Sequence, residues 1–183
     1  MKRIAIQGEL GSFHDITAHE YFQGEQIELI CCATFEEVFE NIKRDPTIIG
    51  ICAIENTIAG SLLHNYELLR ESGTTVVGEH KLHIEHSICC LPSDDWSTLQ
   101  EVHSHPVALM QCGKFLANHP DLKAVEAEDT AGSAAFIAQH QVHGWAAICS
   151  AYAARMYGMK VLQEGIHDNP HNYTRCLVVC NPQ

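Results

Sequence analysis

The sequence predicts an α/β fold with two lobes, and three observations lead to this prediction. A strand, a small polar residue and a helix follow one another repeatedly on both sides of about residue 80. The run Ile48–Ile54 is short and almost wholly apolar, as in a strand that is covered on both faces. Near Ile166 the chain turns back toward a last apolar segment, which would return a strand to the first lobe and leave a cleft between the lobes.

The first lobe begins with strands that alternate with capped helices. Ser12 and Thr34 each precede a helical pattern and carry the hydroxyl that caps a helix N-terminus. The turn Gly8–Phe13, between a strand and a helix, is a general anion-binding arrangement because the first N–H groups of a helix lack partners. In chain order we predict a strand at 1–8, a helix at 12–22, a strand at 27–32, a helix at 34–42, a strand at 48–54, a helix at 61–69 and a strand at 74–79.

The second lobe repeats this pattern after a long predicted strand at 81–91, which Pro92 ends. Pro106 suits the first turn of a helix, and Asp129–Thr130 and Ser150 are polar starts of two further helices. Their N-terminal N–H groups would attract an anionic ligand. The other predicted elements are a strand at 102–104, a helix at 106–116, a strand at 124–126, a helix from 129, a strand at 145–150, a helix at 151–156 closed by Gly158, and a strand at 177–180.

Composition and charge exclude several classes of protein. The 183 residues are 46% hydrophobic and 19% charged, as in an ordinary globular protein. A formal net charge of -12 would repel nucleic acids and anionic membrane surfaces. No apolar run approaches the ~18 residues of a membrane span, and the N-terminus has the pattern of a strand instead of a signal peptide. We therefore expect a cytoplasmic protein that binds neither nucleic acid nor membrane.

The chain contains nine cysteines and thirteen histidines, which raises the question of a metal or thiol site. The cysteines are single or adjacent, lie mostly in apolar runs and are odd in number, which is typical of buried thiols outside disulfides. Neither C-x-x-C nor H-E-x-x-H occurs. We expect neither a metal nor a cofactor.

Two polar stretches are candidates for a site. The segment Glu55–Gly60 follows an apolar strand directly, and ligands of open α/β sheets bind beyond the carboxyl ends of strands, although an Asx-type turn explains the same residues. Near the C-terminus Arg175 offers a planar fork of donors that suits a carboxylate, and Thr174 beside it offers a hydroxyl. From that stretch alone, a capped turn with Arg175 in a surface salt bridge is the simpler interpretation.

Taken together and in order, the motifs of this chain resemble the catalytic domain of prephenate dehydratases, and the resemblance covers essentially the whole chain. Each motif by itself is unspecific, but so many in one order at plausible spacing are hard to obtain by chance. The matching segments are Gly8-x-x-Gly11-Ser12-Phe13, Ile54-Glu55-Asn56-Thr57-x-x-Gly60-Ser61, Gly78-Glu79, Ser104-His105-Pro106-x-Ala108-Leu109-x-Gln111-Cys112, Asp129-Thr130-Ala131-x-Ser133-Ala134, Ala146-Ala147-Ile148, Tyr157-Gly158, and Ile166 through Asn172-Tyr173-Thr174-Arg175.

The resemblance implies two α/β lobes around a cleft, as in type II periplasmic binding proteins, with lobe 1 formed by 1–79 and 166–183 and lobe 2 by 80–165. It implies conversion of prephenate to phenylpyruvate, water and carbon dioxide by a cofactor-free homodimer of phenylalanine biosynthesis. Thr174 matches the family's catalytic Thr, and Glu55 is a second catalytic candidate. The residues expected to bind substrate, by this match or by their place at a helix start, are Ser12, Asn56, Thr57, Ser104, Gln111, Thr130 and Arg175.

The chain departs from the family's pattern at several positions. Glu9 stands where Pro is common, Thr57 where Ser is common, Val107 where Gln is common and Cys176 where Phe is usual. Thr57 keeps a hydroxyl, whereas the ring lost at Cys176 could widen the pocket beside the catalytic Thr. The chain also ends shortly after its last strand, so we expect neither the regulatory ACT domain nor feedback inhibition by phenylalanine.

The chemistry of the reaction suits such residues. Aromatisation supplies the driving force, so the protein has to hold a dianion, align the breaking bonds and help a hydroxyl to leave. A Thr hydroxyl is a poor acid, and we expect Thr174 to donate a hydrogen bond or to relay a proton. Three rival functions stay open: the same reaction on arogenate, which has an ammonium in place of the keto group, an inactive anion-binding module of the same fold, and a thiol or metal protein.

Overall fold

Strands and helices alternate along most of the chain, and the strands collect into two separate sheets. The computed structural model describes residues 1–182. The elements are β1 (Lys2–Gln7), α1 (Phe13–Tyr21), β2 (Ile27–Cys32), α2 (Phe35–Arg44), β3 (Ile49–Asn56), β4 (Gly60–Ser61), α3 (Leu63–Ser72), β5 (Thr75–His83), β6 (Ser87–Cys90), β7 (Glu101–Ser104), α4 (Pro106–Gln111), α5 (Gly113–Ala117), β8 (Lys123–Glu126), α6 (Thr130–His140), β9 (Trp145–Cys149), α7 (Ala151–Met156), β10 (Lys160–Gln163) and β11 (Tyr173–Cys180).

The chain divides into two compact units. Unit 1 comprises Met1–His83 and the segment that begins at His171, and unit 2 comprises Ile84–Pro170. Both boundaries fall a few residues later in the chain than the lobe boundaries expected from the sequence. Gln183, which the lobe prediction included, lies outside the described residues. The α/β class predicted from the sequence is confirmed.

Unit 1 is built on a six-stranded mixed sheet in which the last strand of the chain lies inside. The order is β2-β1-β3-β11-β5, with β4 paired to β3. The first three strands are mutually parallel, whereas β11 runs antiparallel to both β3 and β5. Side chains of β11 alternate between two cores, because Cys176 and Val178 pack with α1 while Leu177 and Val179 pack with α2.

Unit 2 is built on a five-stranded mixed sheet with the order β10-β6-β9-β7-β8. One of its two cores includes Leu109 of α4 and Phe115 of α5, and the other includes Ile137 of α6 and Ala153 of α7. Helices therefore cover both faces, as expected for a sheet whose strands read as apolar runs. No helix of residues 1–182 combines the length and apolar character needed to cross a bilayer.

Several helix starts follow the predicted capping chemistry. The Ser12 hydroxyl accepts a hydrogen bond from the Asp15 N–H at 3.3 Å, and the Thr34 hydroxyl accepts one from Glu37 at 3.2 Å. Ser150 caps α7, and Pro106 is the first residue of α4. These predicted helix starts are confirmed.

Other element boundaries differ from the prediction. The strand expected at 81–91 is wrong, because β5 continues through His83 and a separate strand, β6, starts at Ser87 in the other sheet. Pairing with β11 from Thr75 to His83 extends β5 past the expected break at His80. The helix expected at 106–116 is interrupted at Cys112.

Two further differences concern the polar stretches. The helix expected at 61–69 begins at Leu63, because Gly60–Ser61 pairs with the end of β3 as a short strand. Thr174 and Arg175, expected in a polar loop, lie inside β11. The structure also contains β10, which the sequence did not predict.

Candidate active site

Strand pairing brings the two polar stretches of unit 1 together. Thr174 on β11 lies opposite Asn56 on β3, and the next residue, Arg175, lies opposite Glu55. Neighbouring residues on a strand point to opposite faces of the sheet. The Thr174–Asn56 pair and the Arg175–Glu55 pair therefore lie on opposite faces.

A β-bulge sets this register. Cys176 lies opposite Ala53 while Arg175 lies opposite Glu55, so that Ile54 is an extra residue on β3. In a regular register without the bulge, Ile54 would lie opposite Arg175 and Glu55 opposite Thr174. The bulge thus places an amide opposite Thr174 in place of a carboxylate.

The start of α3 supports the bulge. The carbonyl oxygen of Ala53 accepts a hydrogen bond from the Asn65 side chain at 2.7 Å, and the carbonyl oxygen of Ile54 accepts one from the Leu62 N–H at 2.8 Å. Asn65 is the buried residue of α3. These two carbonyl groups of the bulge are thereby satisfied within unit 1.

Asn56 is the centre of a hydrogen-bond network around Thr174. Its Nδ2 donates to Thr174 Oγ1 at 3.0 Å, to Asn172 Oδ1 at 2.8 Å and to the Tyr173 carbonyl at 3.2 Å. Asn172 is fully buried, and Thr174 is half-buried. Two strands and the segment that enters β11 therefore fix the surroundings of the Thr174 hydroxyl.

Thr57 links the turn after β3 to the same entry segment. Its hydroxyl donates to the His171 carbonyl at 2.8 Å and accepts from the Tyr173 N–H at 2.9 Å, while its own N–H donates to the Tyr173 carbonyl at 2.9 Å. The hydroxyl that Thr57 retains thus has a definite partner on each side.

Arg175 is held by two carboxylates on the other face of the sheet. Its Nε and Nη2 donate to Glu79 Oε2 at 2.9 and 2.7 Å, and its Nη1 donates to Glu55 Oε1 at 3.3 Å. Hydrogen bonds to Glu79 and then to Glu55 raise the pKa of Arg175 further. The guanidinium fork expected to hold a substrate carboxylate contacts carboxylates of the protein itself.

The turn before α1 is also engaged internally. The Gly11 N–H donates to Asp15 Oδ2 at 2.7 Å, and the Ser12 N–H donates to the Glu9 carbonyl at 3.1 Å. Asp15 is fully buried and also contacts His19 Nδ1 at 2.6 Å. A carboxylate of the chain therefore occupies part of the expected anion-binding turn.

The three candidates of unit 2 lie at a strand end, in a short helix and at a helix start. Ser104 is fully buried and donates to the Ile148 carbonyl at 2.6 Å. Gln111 is buried with its Oε1 2.8 Å from His86 Nε2, and burial lowers the pKa of His86. Thr130 opens α6, where Asp129 caps the Gly132 N–H at 3.1 Å.

Cys176 lies in the core and not beside the Thr174 hydroxyl network. Only 1% of it is exposed, it bonds to the Thr17 side chain of α1, and burial raises its pKa to about 12. Its thiol is therefore inert as a nucleophile. Among residues 1–182, three or more His, Cys, Asp or Glu side chains nowhere converge as metal ligands would.

Three residues of these networks were not among the sequence candidates. Asn172 contacts Asn56, Glu79 holds Arg175, and His86 holds Gln111. Asn172 and Glu79 lay within the matching motifs, but their partners lie 116 and 96 positions away in the chain. Strand register, which the sequence does not display, decides which of them meet.

The chain is similar to known proteins over nearly its whole length. A family model described as prephenate dehydratase matches residues 4–183. The chloroplastic arogenate dehydratase 3 of Arabidopsis thaliana is 35% identical over 178 residues, which are 97% of this chain and 42% of that protein. The bifunctional chorismate mutase/prephenate dehydratase of Escherichia coli K12 is 32% identical over 179 residues, which are 97% of this chain and 46% of that protein. The chain spans less than half the length of both relatives.

Solved structures share the fold. The prephenate dehydratase of Staphylococcus aureus aligns with a TM-score of 0.83 and 26% identity, over 100% of this chain and 67% of that one. GqqA, described as a novel type of quorum quenching acylase, aligns with a TM-score of 0.88 and 27% identity, over 100% and 65%. The predicted α/β class with two lobes is confirmed, and the cleft stays a prediction.

Proposed function

Because the chain belongs to the prephenate dehydratase family, we propose that it converts prephenate to phenylpyruvate, water and carbon dioxide without a cofactor. The observation that carries this proposal is the contact between Thr174, which matches the family's catalytic Thr, and Asn56 at 3.0 Å. A hydroxyl held by an amide is suited to hydrogen-bond donation, which is the assistance that this reaction needs.

The reaction breaks two bonds of the substrate. As the ring carboxylate leaves as carbon dioxide, its bonding electrons enter the ring, and the C–O bond to the departing hydroxyl breaks with its electron pair on oxygen. A proton from solvent converts the departing hydroxide to water, and Thr174 either donates a hydrogen bond to that oxygen or relays the proton to it. Positioning and hydrogen bonding lower the barrier, while aromatisation drives the reaction.

Glu55 is the alternative proton donor. In unit 1 it pairs with Arg175 at 3.3 Å on the face of the sheet opposite Thr174. We therefore propose Thr174 as the residue that assists the leaving oxygen. Arg175 and Glu55 would then act on that other face, and the remaining substrate-binding candidates are Ser12, Thr57, Ser104, Gln111 and Thr130.

Arogenate is the second candidate substrate. A relative at 35% identity is named arogenate dehydratase, whereas one at 32% is named for prephenate, so identity does not separate the two substrates. Arogenate carries an ammonium group where prephenate carries a keto group, and both lose carbon dioxide and the ring hydroxyl in the same way. Thr174 would act identically on both.

Amide hydrolysis, suggested by the acylase structure, fits the site less well. A hydroxyl nucleophile needs a neighbouring base to take its proton. The partner of Thr174 is the Asn56 amide, which donates to the hydroxyl oxygen at 3.0 Å and cannot accept that proton. We retain dehydration as the proposed reaction.

We also propose a cytoplasmic homodimer. All nine cysteines lie in the described residues and none is in a disulfide, which favours a reducing compartment. The dimer rests on the family resemblance, and sedimentation analysis of the purified chain would test it.

Turnover of prephenate by the purified chain tests the proposal, with phenylpyruvate as the measured product and arogenate assayed in parallel. We expect phenylpyruvate from prephenate, and a larger kcat/KM for arogenate would transfer the activity to that substrate. Binding of both without product would replace the enzyme by an anion-binding module of the same fold.

A further inference from the structure

We propose that Asn56 is a positioning residue that makes the Thr174 hydroxyl a hydrogen-bond donor, and that Asn56 does not itself bind the substrate. The inference rests on the proposed function, because it concerns how the catalytic hydroxyl of that reaction is oriented. It replaces the substrate-binding role that the sequence suggested for Asn56.

Two backbone groups fix the orientation of the Asn56 amide. Its Oδ1 accepts hydrogen bonds from the Ile58 N–H and the Ala59 N–H, both at 2.9 Å. A reversed amide would set NH2 against these two donors. Nδ2 must therefore be the end that faces Thr174.

The other end of the amide determines what Thr174 can do. Nδ2 meets three oxygens, those of Thr174, Asn172 and the Tyr173 carbonyl, at 3.0, 2.8 and 3.2 Å. The Thr174 oxygen accepts from Nδ2, so its single hydrogen cannot point at the amide and is directed elsewhere. Both ends of Asn56 are occupied by the protein, and the Thr174 hydrogen is left for the departing oxygen of the substrate.

The bulge explains why an amide fills this place. With Ile54 as the extra residue, Asn56 stands opposite Thr174 and Glu55 stands opposite Arg175. A carboxylate opposite Thr174 would accept the hydroxyl hydrogen and leave only the oxygen lone pairs for the substrate. Opposite the amide, the Thr174 hydroxyl accepts a hydrogen bond, whereas opposite a carboxylate it would donate one.

Asn56→Asp tests the direction of this hydrogen bond because it replaces the NH2 group with an oxygen of similar size, which also removes the donor to Asn172 Oδ1 and the Tyr173 carbonyl. The oxygen that accepts from Ile58 and Ala59 stays, so the turn after β3 keeps its hydrogen bonds. The second oxygen turns the Thr174 hydroxyl toward itself. We expect kcat to fall about 10² to 10⁴-fold, the range typical of a lost proton-transfer group, with KM changed little.

The pH profile of the variant tests whether a donor restored by protonation also restores kcat. Below its pKa the introduced carboxyl is neutral and can again donate to the Thr174 oxygen. The ratio of variant to wild-type kcat should therefore rise as the pH falls. A ratio independent of pH would overturn the proposed reversal, as would a variant with wild-type kcat.

The Thr174→Ala background separates positioning from substrate binding. If Asn56 acts through Thr174, Asn56→Asp adds no further loss of kcat in that background. A substrate-binding Asn56 would instead raise KM in both backgrounds. This result would overturn the inference and leave the proposed dehydratase function intact.

A measurement without turnover distinguishes failure of the inference from failure of the function. In Asn56→Asp the Thr174 hydroxyl stabilises the ionised carboxyl, so adding Thr174→Val should raise the pKa of that carboxyl, measured by 13C NMR. Equal pKa values in the single and double variants would overturn the inference even if the chain turned over neither prephenate nor arogenate. If the wild-type protein were inactive but the pKa of the introduced carboxyl were higher in the double variant than in the single variant, the proposed function alone would be rejected.

Discussion

The Thr174 hydroxyl is one oxygen and one hydrogen, and the network around it gives a partner to the oxygen, while the proposal assigns the hydrogen to the substrate. Its oxygen accepts from Asn56, and Asn56 is oriented by two N–H groups of the following turn. In the proposed reaction, a hydroxyl restricted in this way needs no reorganisation when the substrate binds. Such preorganisation is the main contribution a protein can make where aromatisation drives the chemistry.

Replacement of Thr174 should separate the hydroxyl from the volume of the side chain. Thr174→Val keeps the shape and removes the hydroxyl, and we expect kcat to fall about 10² to 10⁴-fold with KM within a few-fold. Thr174→Ser restores the hydroxyl and should recover most of the activity. Steady-state kinetics on prephenate measures both, and a Val variant with most of its activity would remove Thr174 from the mechanism.

His14 is a titratable side chain that the proposed reaction does not use. Burial lowers its pKa from 6.5 to about 4, against a smaller opposite effect of a hydrogen bond to the Gln7 backbone. Its Nε2 is buried and has no hydrogen-bond partner among residues 1–182. His14 is therefore neutral in the folded protein at pH values where the unfolded chain binds a proton.

His14 should make stability depend on pH. Between pH 6.5 and pH 4 the unfolded chain binds more protons, so the free energy of unfolding decreases as the pH falls. From these pKa values the loss between pH 7 and pH 5 is about 2 kcal/mol. Urea unfolding at both pH values measures it, and His14→Gln should show a loss smaller by that amount. An equal loss in both proteins would contradict the prediction.

The β-bulge of β3 and the start of α3 form one structural element in practice. Asn65, the buried residue of α3, donates to the carbonyl of Ala53 beside the extra residue Ile54. Bulges re-aim side chains, and this one selects which side chain meets Thr174. Support for the bulge is therefore also support for the candidate site.

Asn65→Leu should affect both stability and activity. It leaves a buried carbonyl without its donor, which costs roughly 1 to 3 kcal/mol of the free energy of unfolding. It should also lower kcat, because the register opposite Thr174 depends on the bulge. Glu67→Ala, at an exposed position of the same helix, is the matched control and should change neither quantity. Loss of stability with unchanged kcat would disconnect the bulge from the site.

At the scale of single elements, the sequence predicted the helix caps but not the register in which the strands pair. The caps at Ser12 and Thr34 depend on residues within three positions of each other, and both were predicted. The bulge at Ile54, by contrast, depends on a strand more than 110 positions later. The resemblance identified Thr174 and Asn56 as site residues, but only the register shows that they touch.

The whole molecule keeps most of its thiols inside its cores. Among the nine cysteines, Cys31 is exposed and Cys180 is half-buried, while the other seven are buried. Burial raises the pKa values of Cys52, Cys112 and Cys176 to about 12. The rate at which an alkylating reagent modifies the buried thiols should therefore show whether both units are folded.

Thiol labelling should follow this distribution. In native protein we expect iodoacetamide to modify Cys31 first and Cys180 more slowly, and to modify all nine cysteines once the chain is unfolded. Mass spectrometry of timed samples measures the sites. Cys31→Ser should abolish the fast phase, and rapid labelling of Cys52 or Cys112 would contradict the burial of these thiols.

The position of β11 between β3 and β5 has a consequence for the order in which the molecule can be made. On the ribosome, both neighbours of this strand are synthesised before all of residues 84–170, so they wait for an interior strand that emerges after unit 2 is complete. During that interval the facing edges of β3 and β5 lack their native partner, and pairing across so long a separation is slow. Since β11 also carries Thr174, the contact between this hydroxyl and Asn56 cannot form until residues 84–170 have been synthesised.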